Sequence, residues 1–190
     1  GVEQRSEINK LTFRPHVLTM SATPIPRSLM LTIFSHLELS VIDEMPAGRK
    51  PIKTWLVSEK KRTDSYGWIE QRLQDDGGQV LVVCPFIDPS DHEAFAKVKS
   101  ATETFSDIKL QFPNQRVELL HGRLPSDKKD KITKNLFDQK IDILVTTPIV
   151  EVGIDLPAAS IIIIESAERF GLASLHQLRG RVGRAGQQAY

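Results

Sequence analysis

The residues with the clearest chemical potential lie in the stretch Leu175-His176-Gln177-Leu178-Arg179-Gly180-Arg181-Val182-Gly183-Arg184. At 3.6 residues per turn, Gln177, Arg181 and Arg184 fall on one helical face, Leu175, Leu178 and Val182 on a second, and His176, Gly180 and Gly183 on a third. The apolar face can anchor such a helix to a core. Two glycines inside one helix cost roughly 1 kcal/mol each relative to alanine, so the slim face predicts a close approach by another element. Two guanidiniums on a common face want an anion. Their planar donor forks match phosphate oxygens and stay charged at any relevant pH, which points to polyphosphate. The same residues also suit a solvated helix end or an unstructured RNA-binding tail.

Other polar residues stand where apolar runs stop. Val17-Leu18-Thr19-Met20 leads into Ser21-Ala22-Thr23-Pro24, and Leu119-Leu120 leads into His121-Gly122-Arg123. Leu144-Val145 leads into Thr146-Thr147 and then Glu151-Val152-Gly153-Ile154-Asp155, and Ile163-Ile164 leads into residues 165–171. If the runs are parallel strands, these loops open on one carboxyl edge, where open α/β sheets bind ligands. Gly153 permits close backbone approach, and Asp155 supplies an acceptor for a ribose hydroxyl. Each segment also has a plain local reading, as a turn or a satisfied loop histidine.

The elements that would position these residues follow from periodicity. Residues 52–57, 79–84, 116–120, 142–147 and 160–165 read as strands, and residues 64–74, 91–105 and 126–137 as helices, the last with an N-cap offered by Ser126. Residues 27–34 suggest a helix opened by Pro26, and Ala47-Gly48-Arg49-Lys50-Pro51 reads as a loop or linker at a domain boundary. Strands alternating with helices predict an α/β fold with a parallel sheet covered on both faces. In 190 residues the formal net charge is only +1, so any nucleic-acid binding must be local. The single Cys84 ends an apolar run and is read as a buried thiol, which suits a reducing compartment. No apolar run approaches membrane-spanning length, no signal peptide is visible, and the histidines lack metal-ligand spacing, so the expectation is a cytoplasmic protein with no membrane partner and no resident metal site.

Taken in order, these segments resemble the motifs of superfamily 2 helicases: Ser21-Ala22-Thr23 their motif III, residues 147–155 their motif V, and residues 177–184 their motif VI. The closer resemblance is to the RecG family of bacterial ATP-dependent DNA helicases. It is carried by Ala22-Thr23-Pro24-Ile25-Pro26-Arg27, by Val41-Ile42-Asp43-Glu44 with Gly48-Arg49-Lys50-Pro51-Ile52, by Leu120-His121-Gly122-Arg123 and by Glu168-Arg169-Phe170-Gly171-Leu172. The transcription-repair coupling factor shares this motor, but its sequences usually have Tyr where His176 stands and lack the Val-Ile-Asp-Glu to Gly-Arg-Lys-Pro segment. A noncatalytic helicase-like binding module is the alternative from another functional class.

The resemblance implies a RecA-like fold and a role in regressing stalled forks and migrating Holliday junctions. It implies that Arg181 and Arg184 reach the γ-phosphate of ATP across a cleft between two motor domains, with Gln177 positioning them. Gly153 and Asp155 would border the ribose; Thr147, His121 and Gly122 would lie towards the DNA backbone; Ser21 and Thr23 would couple nucleotide state between domains. Neither a phosphate-cradling Gly-x-x-x-x-Gly-Lys-Ser/Thr nor an acidic Mg²⁺ box occurs in the sequence. The expectation is therefore a segment with the tail of motor domain 1 at residues 1–47 and motor domain 2 at residues 48–190, stopping before a translocation hairpin. Its expected partners are branched DNA and the first motor and wedge domains of the same longer chain. Most of the site for ATP and Mg²⁺ would lie in that absent first domain, leaving the segment alone inactive.

Overall fold

Four apolar runs become the strands of one parallel sheet: β1 (Gln79–Val83), β2 (Val117–Leu120), β3 (Ile143–Thr146) and β4 (Ala159–Ile164), in the order β2-β3-β1-β4. All three pairings are parallel, with Val83 opposite both Thr146 and Ile164, and Leu120 opposite Thr146. The computed structural model describes residues 18, 20, 40–46, 48–86, 100–148, 156 and 158–190. The chain divides into two units, Gly1–Val41 and Ile42–Tyr190. In the first, the described Leu18, Met20, Ser40 and Val41 are exposed; the rest of the strand expected at 17–20 and the whole helix expected at 27–34 lie outside the described residues.

The second unit holds the sheet and four helices, α1 (Arg62–Asp76), α2 (Ala101–Gln111), α3 (Ser126–Phe137) and α4 (Leu172–Arg179). Strand side chains alternate between the two faces, and the core divides accordingly. Val80, Val82 and Cys84 pack with Ile69 and Leu73 of α1 and Ile108 of α2. Leu81 and Val83 pack with Leu136 of α3, Leu178 of α4 and Val182. Every residue of β1 and β3 is buried, as expected of strands covered on both sides.

Local signals set several ends. Gly77, at φ 62°, closes α1 by donating its N–H to Leu73 O at 3.2 Å. Ser100 and Glu103 form a reciprocal capping box that starts α2 at Ala101. That corrects the helix expected over 91–105: Ser100 is extended (φ −77°, ψ 168°), so α2 begins there and runs six residues further than expected, to Gln111, while 91–99 lie outside the described residues. Ser126 is likewise not an N-cap. Pro125 occupies that position, without a side-chain cap, and Ser126 is the first helical residue.

Residues 52–57 do not form the expected strand. They are joined to the neighbouring segment by one backbone bond, Lys53 N to Ala189 O at 3.0 Å, and Trp55 spends its ring on an offset stack with Tyr190 at 5.6 Å instead of a sheet face. Tyr190 is the residue that continues the sheet. It donates to Ser160 O (2.9 Å) and accepts from Ile162 N (3.0 Å), the pattern of a parallel pairing beside β4.

Candidate functional site

Parallel register brings the ends of the four strands to a single edge. Cys84, His121, Thr147 and Glu165 each follow the last residue of a strand, and the ladder extends onto this row through Cys84 N to Thr146 O (2.8 Å) and Glu165 N to Val83 O (2.9 Å). Cys84 is wholly buried, and burial pushes its thiol up to about 12. Thr147 and Glu165 are buried as well. The Glu165 carboxylate is held by both terminal nitrogens of Arg62, with Nη1 to Oε2 at 3.0 Å, while Arg62 Nε donates to Tyr66 Oη at 2.7 Å. The hydrogen bond to Glu165 raises the guanidinium well above its usual range, against the opposing effect of burial. The row is thus pinned by a bidentate ion pair between α1 and the end of β4.

Two polar atoms of the row, His121 Nδ1 and Thr147 Oγ1, are buried without a hydrogen-bond partner. Such groups carry a desolvation cost and call for an explanation. Gly122, next to His121, turns its carbonyl to Lys129 Nζ of α3 at 2.7 Å. This places a cation of α3 against the His121-Gly122-Arg123 turn, a contact the sequence reading did not anticipate.

The arginine stretch departs from the helix expected of it. α4 ends at Arg179, and Gly180 is its C-cap, with its N–H donated to His176 O at 3.1 Å. Gly183 lies beyond the helix at φ 73°. Gln177 is therefore on α4 and exposed, whereas Arg181 and Arg184 sit on the loop that follows, so the three do not share a helical stripe. The physical reason is the pair of glycines: at C-cap and left-handed positions they end a helix rather than thin it. The close approach does exist. A Cβ on Gly183 would come within 2.8 Å of Ala189 Cβ. Of the expected apolar face, Leu178 and Val182 are buried and Leu175 is half-buried.

The loop joins the sheet at the beginning of β4, through Gly183 N to Ala159 O at 3.0 Å, whereas the row of His121 and Thr147 stands at the strands' far ends. Arg184 Nε donates to Gly180 O at 3.3 Å, and the same carbonyl accepts Arg49 Nη2 at 3.2 Å. Sequence reading took Arg49 for part of a linker; nothing local could have revealed a partner 131 positions away. Gly153, Asp155, Ser21 and Thr23 lie outside the described residues. A cavity of about 670 Å³ opens near the starts of β1 and β4, lined by Gln79, Ser160, Gln188 and Tyr190 among others, and includes none of the expected site residues. Among the described residues there is no cluster of His, Cys, Asp and Glu able to hold a metal ion, and no helix long and apolar enough to cross a membrane.

Comparison with known proteins places the geometry in context. Residues 64–186 match the model of the helicase conserved C-terminal domain. The whole chain is 45% identical to the ATP-dependent DNA helicase RecG of Thermotoga maritima, covering 24% of that protein, and 42% identical to RecG of Bacillus subtilis, covering 27%. It thus spans about a quarter of the length of these relatives. Among solved structures, RecG bound to a three-way DNA junction superimposes over 90% of this chain and 22% of that one, with a TM-score of 0.71 and 44% identity.

Proposed function

We propose, from the premise that the chain belongs to the helicase conserved C-terminal domain family, that it serves as the second motor domain of a RecG-type ATP-dependent DNA helicase acting on branched DNA such as forks and Holliday junctions. In this reading residues 1–47 belong to the tail of the first motor domain, and the remainder of that domain, together with a wedge domain, is supplied by the same longer chain. The observation that carries it is the loop after α4, which offers two guanidiniums just beyond a glycine-capped helix end. Their donor chemistry fits the phosphate end of ATP. Mg²⁺ has no candidate ligand cluster among the described residues, and none of its ligands is assigned to this segment.

Bound ATP supplies the transferable γ-phosphoryl group. Arg184 and Arg181 would meet the charge that develops on it, and Gln177, exposed on the last turns of α4 and apart from both, would meet the same phosphates from the helix. Gly153 and Asp155 border the ribose. Thr147, His121 and Gly122 lie towards the DNA backbone; Thr147 Oγ1, buried and unpartnered here, keeps a donor for a phosphate that the edge admits. Ser21 and Thr23 couple the nucleotide state to DNA movement. A soluble, cytoplasmic location goes with such a role.

The test is junction-stimulated ATP turnover of the full-length protein carrying Arg184→Ala. Loss of an arginine finger lowers kcat on the order of 10³-fold or more, with stability unchanged. Turnover at the wild-type rate refutes the assignment. Residues 1–190 alone are expected to show no turnover.

A further inference from the structure

The segment with residues 48–53 runs alongside the arginine loop and touches it repeatedly. Arg49 Nη2 donates to Gly180 O (3.2 Å), Gln188 Nε2 donates to Pro51 O (2.9 Å), and Lys53 N donates to Ala189 O (3.0 Å). A Cβ on Gly186, itself at φ 81°, would stand 3.5 Å from Gly48 O. The first of these contacts is shared. Gly180 O, the carbonyl at the end of α4, receives two guanidiniums, one from Arg49 and one from Arg184, which lies on the same loop.

We infer that Arg49 is a positioning residue for Arg184: it keeps the Gly180 carbonyl paired, so that Arg184 can leave that carbonyl for a phosphate without stranding an acceptor. An unpaired, part-buried carbonyl at a helix end costs free energy, and Arg184 has a shorter outward reach while its Nε is held by its own helix. With Arg49 in place the acceptor keeps a donor in both positions of Arg184. Arg49 is half-buried with its Nε unpartnered, so the side chain is fixed by its bond from Nη2 to Gly180 O.

This inference rests on the assignment of Arg184 to the γ-phosphate, and its test separates the two. In the full-length protein, with a three-way junction as the DNA, Arg49→Met is expected to lower the kcat for ATP about tenfold, the worth of one ordinary hydrogen bond, with KM changed less than about twofold. The thermal midpoint is expected to hold or rise, because the methionine removes the buried unpaired Nε. Arg49→Lys, which keeps a single donor, is expected to recover kcat to within about threefold of the wild type. Wild-type kcat in Arg49→Met alongside a collapse in Arg184→Ala overturns the inference and leaves the γ-phosphate assignment standing. Wild-type turnover in Arg184→Ala removes both. An Arg49→Met protein that does not fold, or whose KM rises in step with a falling midpoint, overturns the inference in favour of a purely structural arginine.

Discussion

The row of residues at the strand ends and the loop after α4 are held by opposite means. Cys84, His121, Thr147 and Glu165 take their places from a parallel ladder whose register is fixed over several residues, and Arg62 at the start of α1 locks Glu165. Arg181 and Arg184 sit outside regular structure, on a loop fastened by single bonds and by the burial of Val182. A ladder is cooperative and leaves its residues little freedom. Single fastenings can be exchanged one at a time, which is what the proposed reach of Arg184 to a phosphate requires. The first region is built to hold a shape and the second to release one.

Breaking the row should therefore cost stability, and the ion pair is where most is at stake. Glu165 is buried, so Arg62→Met leaves a carboxylate in the interior with its charge uncompensated. The expected loss is about 3 kcal/mol, read from urea unfolding. A loss below about 1 kcal/mol would mean that the ladder alone holds the row. Next in size is Gly183→Ala in the loop. It forces a left-handed backbone onto an alanine whose Cβ would stand 2.8 Å from that of Ala189, for an expected cost of about 2 kcal/mol. If the proposed role of the arginines holds, ATP turnover of the full-length protein carrying Gly183→Ala should fall more than its stability explains, since the arginines ride on the strained turn. Full activity in a folded Gly183→Ala protein would show that the loop tolerates misplacement, against the contrast drawn above.

The same contrast explains what could be read from the sequence. Strands β1 to β4 are legible to within a residue: β1 and β3 are buried on both faces and leave a continuous apolar signature, as in Val80-Leu81-Val82-Val83, β4 is apolar in Ile161–Ile164, and β2 keeps only Leu119-Leu120. With them came the shared edge of His121 and Thr147. α3 is legible over its full length, and the Ser100-x-x-Glu103 box that starts α2 is itself a local signal in the sequence. The loop was misread for a specific reason. Helical periodicity continues through Arg181, Val182 and Arg184, and only the backbone angles show that Gly180 and Gly183 end the helix. Residues 52–57 alternate like a strand, yet alternation records which residues could face a core, not whether a partner lies alongside. The contact of Arg49 with Gly180 left no local trace at all.

The smallest expected effect concerns the opposite ends of the strands, near which the loop is anchored. The Asp142 carboxylate accepts from Arg116 N (2.7 Å), Nε (2.9 Å) and Nη2 (2.5 Å), and Nη2 also donates to Gln139 O at 2.8 Å. These bonds tie the start of β2 to the start of β3. The Arg116 side chain holds the Asp142 carboxyl below the usual carboxylate range, with burial acting against it. A carboxyl whose folded value is depressed adds stability that is fully present above its unfolded value of about 3.9 and is lost as pH falls through the folded value. Because Arg116 is largely exposed, screening limits the gain to about 1 kcal/mol. Asp142→Asn should thus lower the urea midpoint at pH 7 slightly, and the gap to the wild type should close as pH is taken from about 5 towards 2. A gap that persists unchanged into acid would place its origin in the lost geometry of the pair and not in its charge, and the strand starts would then be fastened as rigidly as the strand ends.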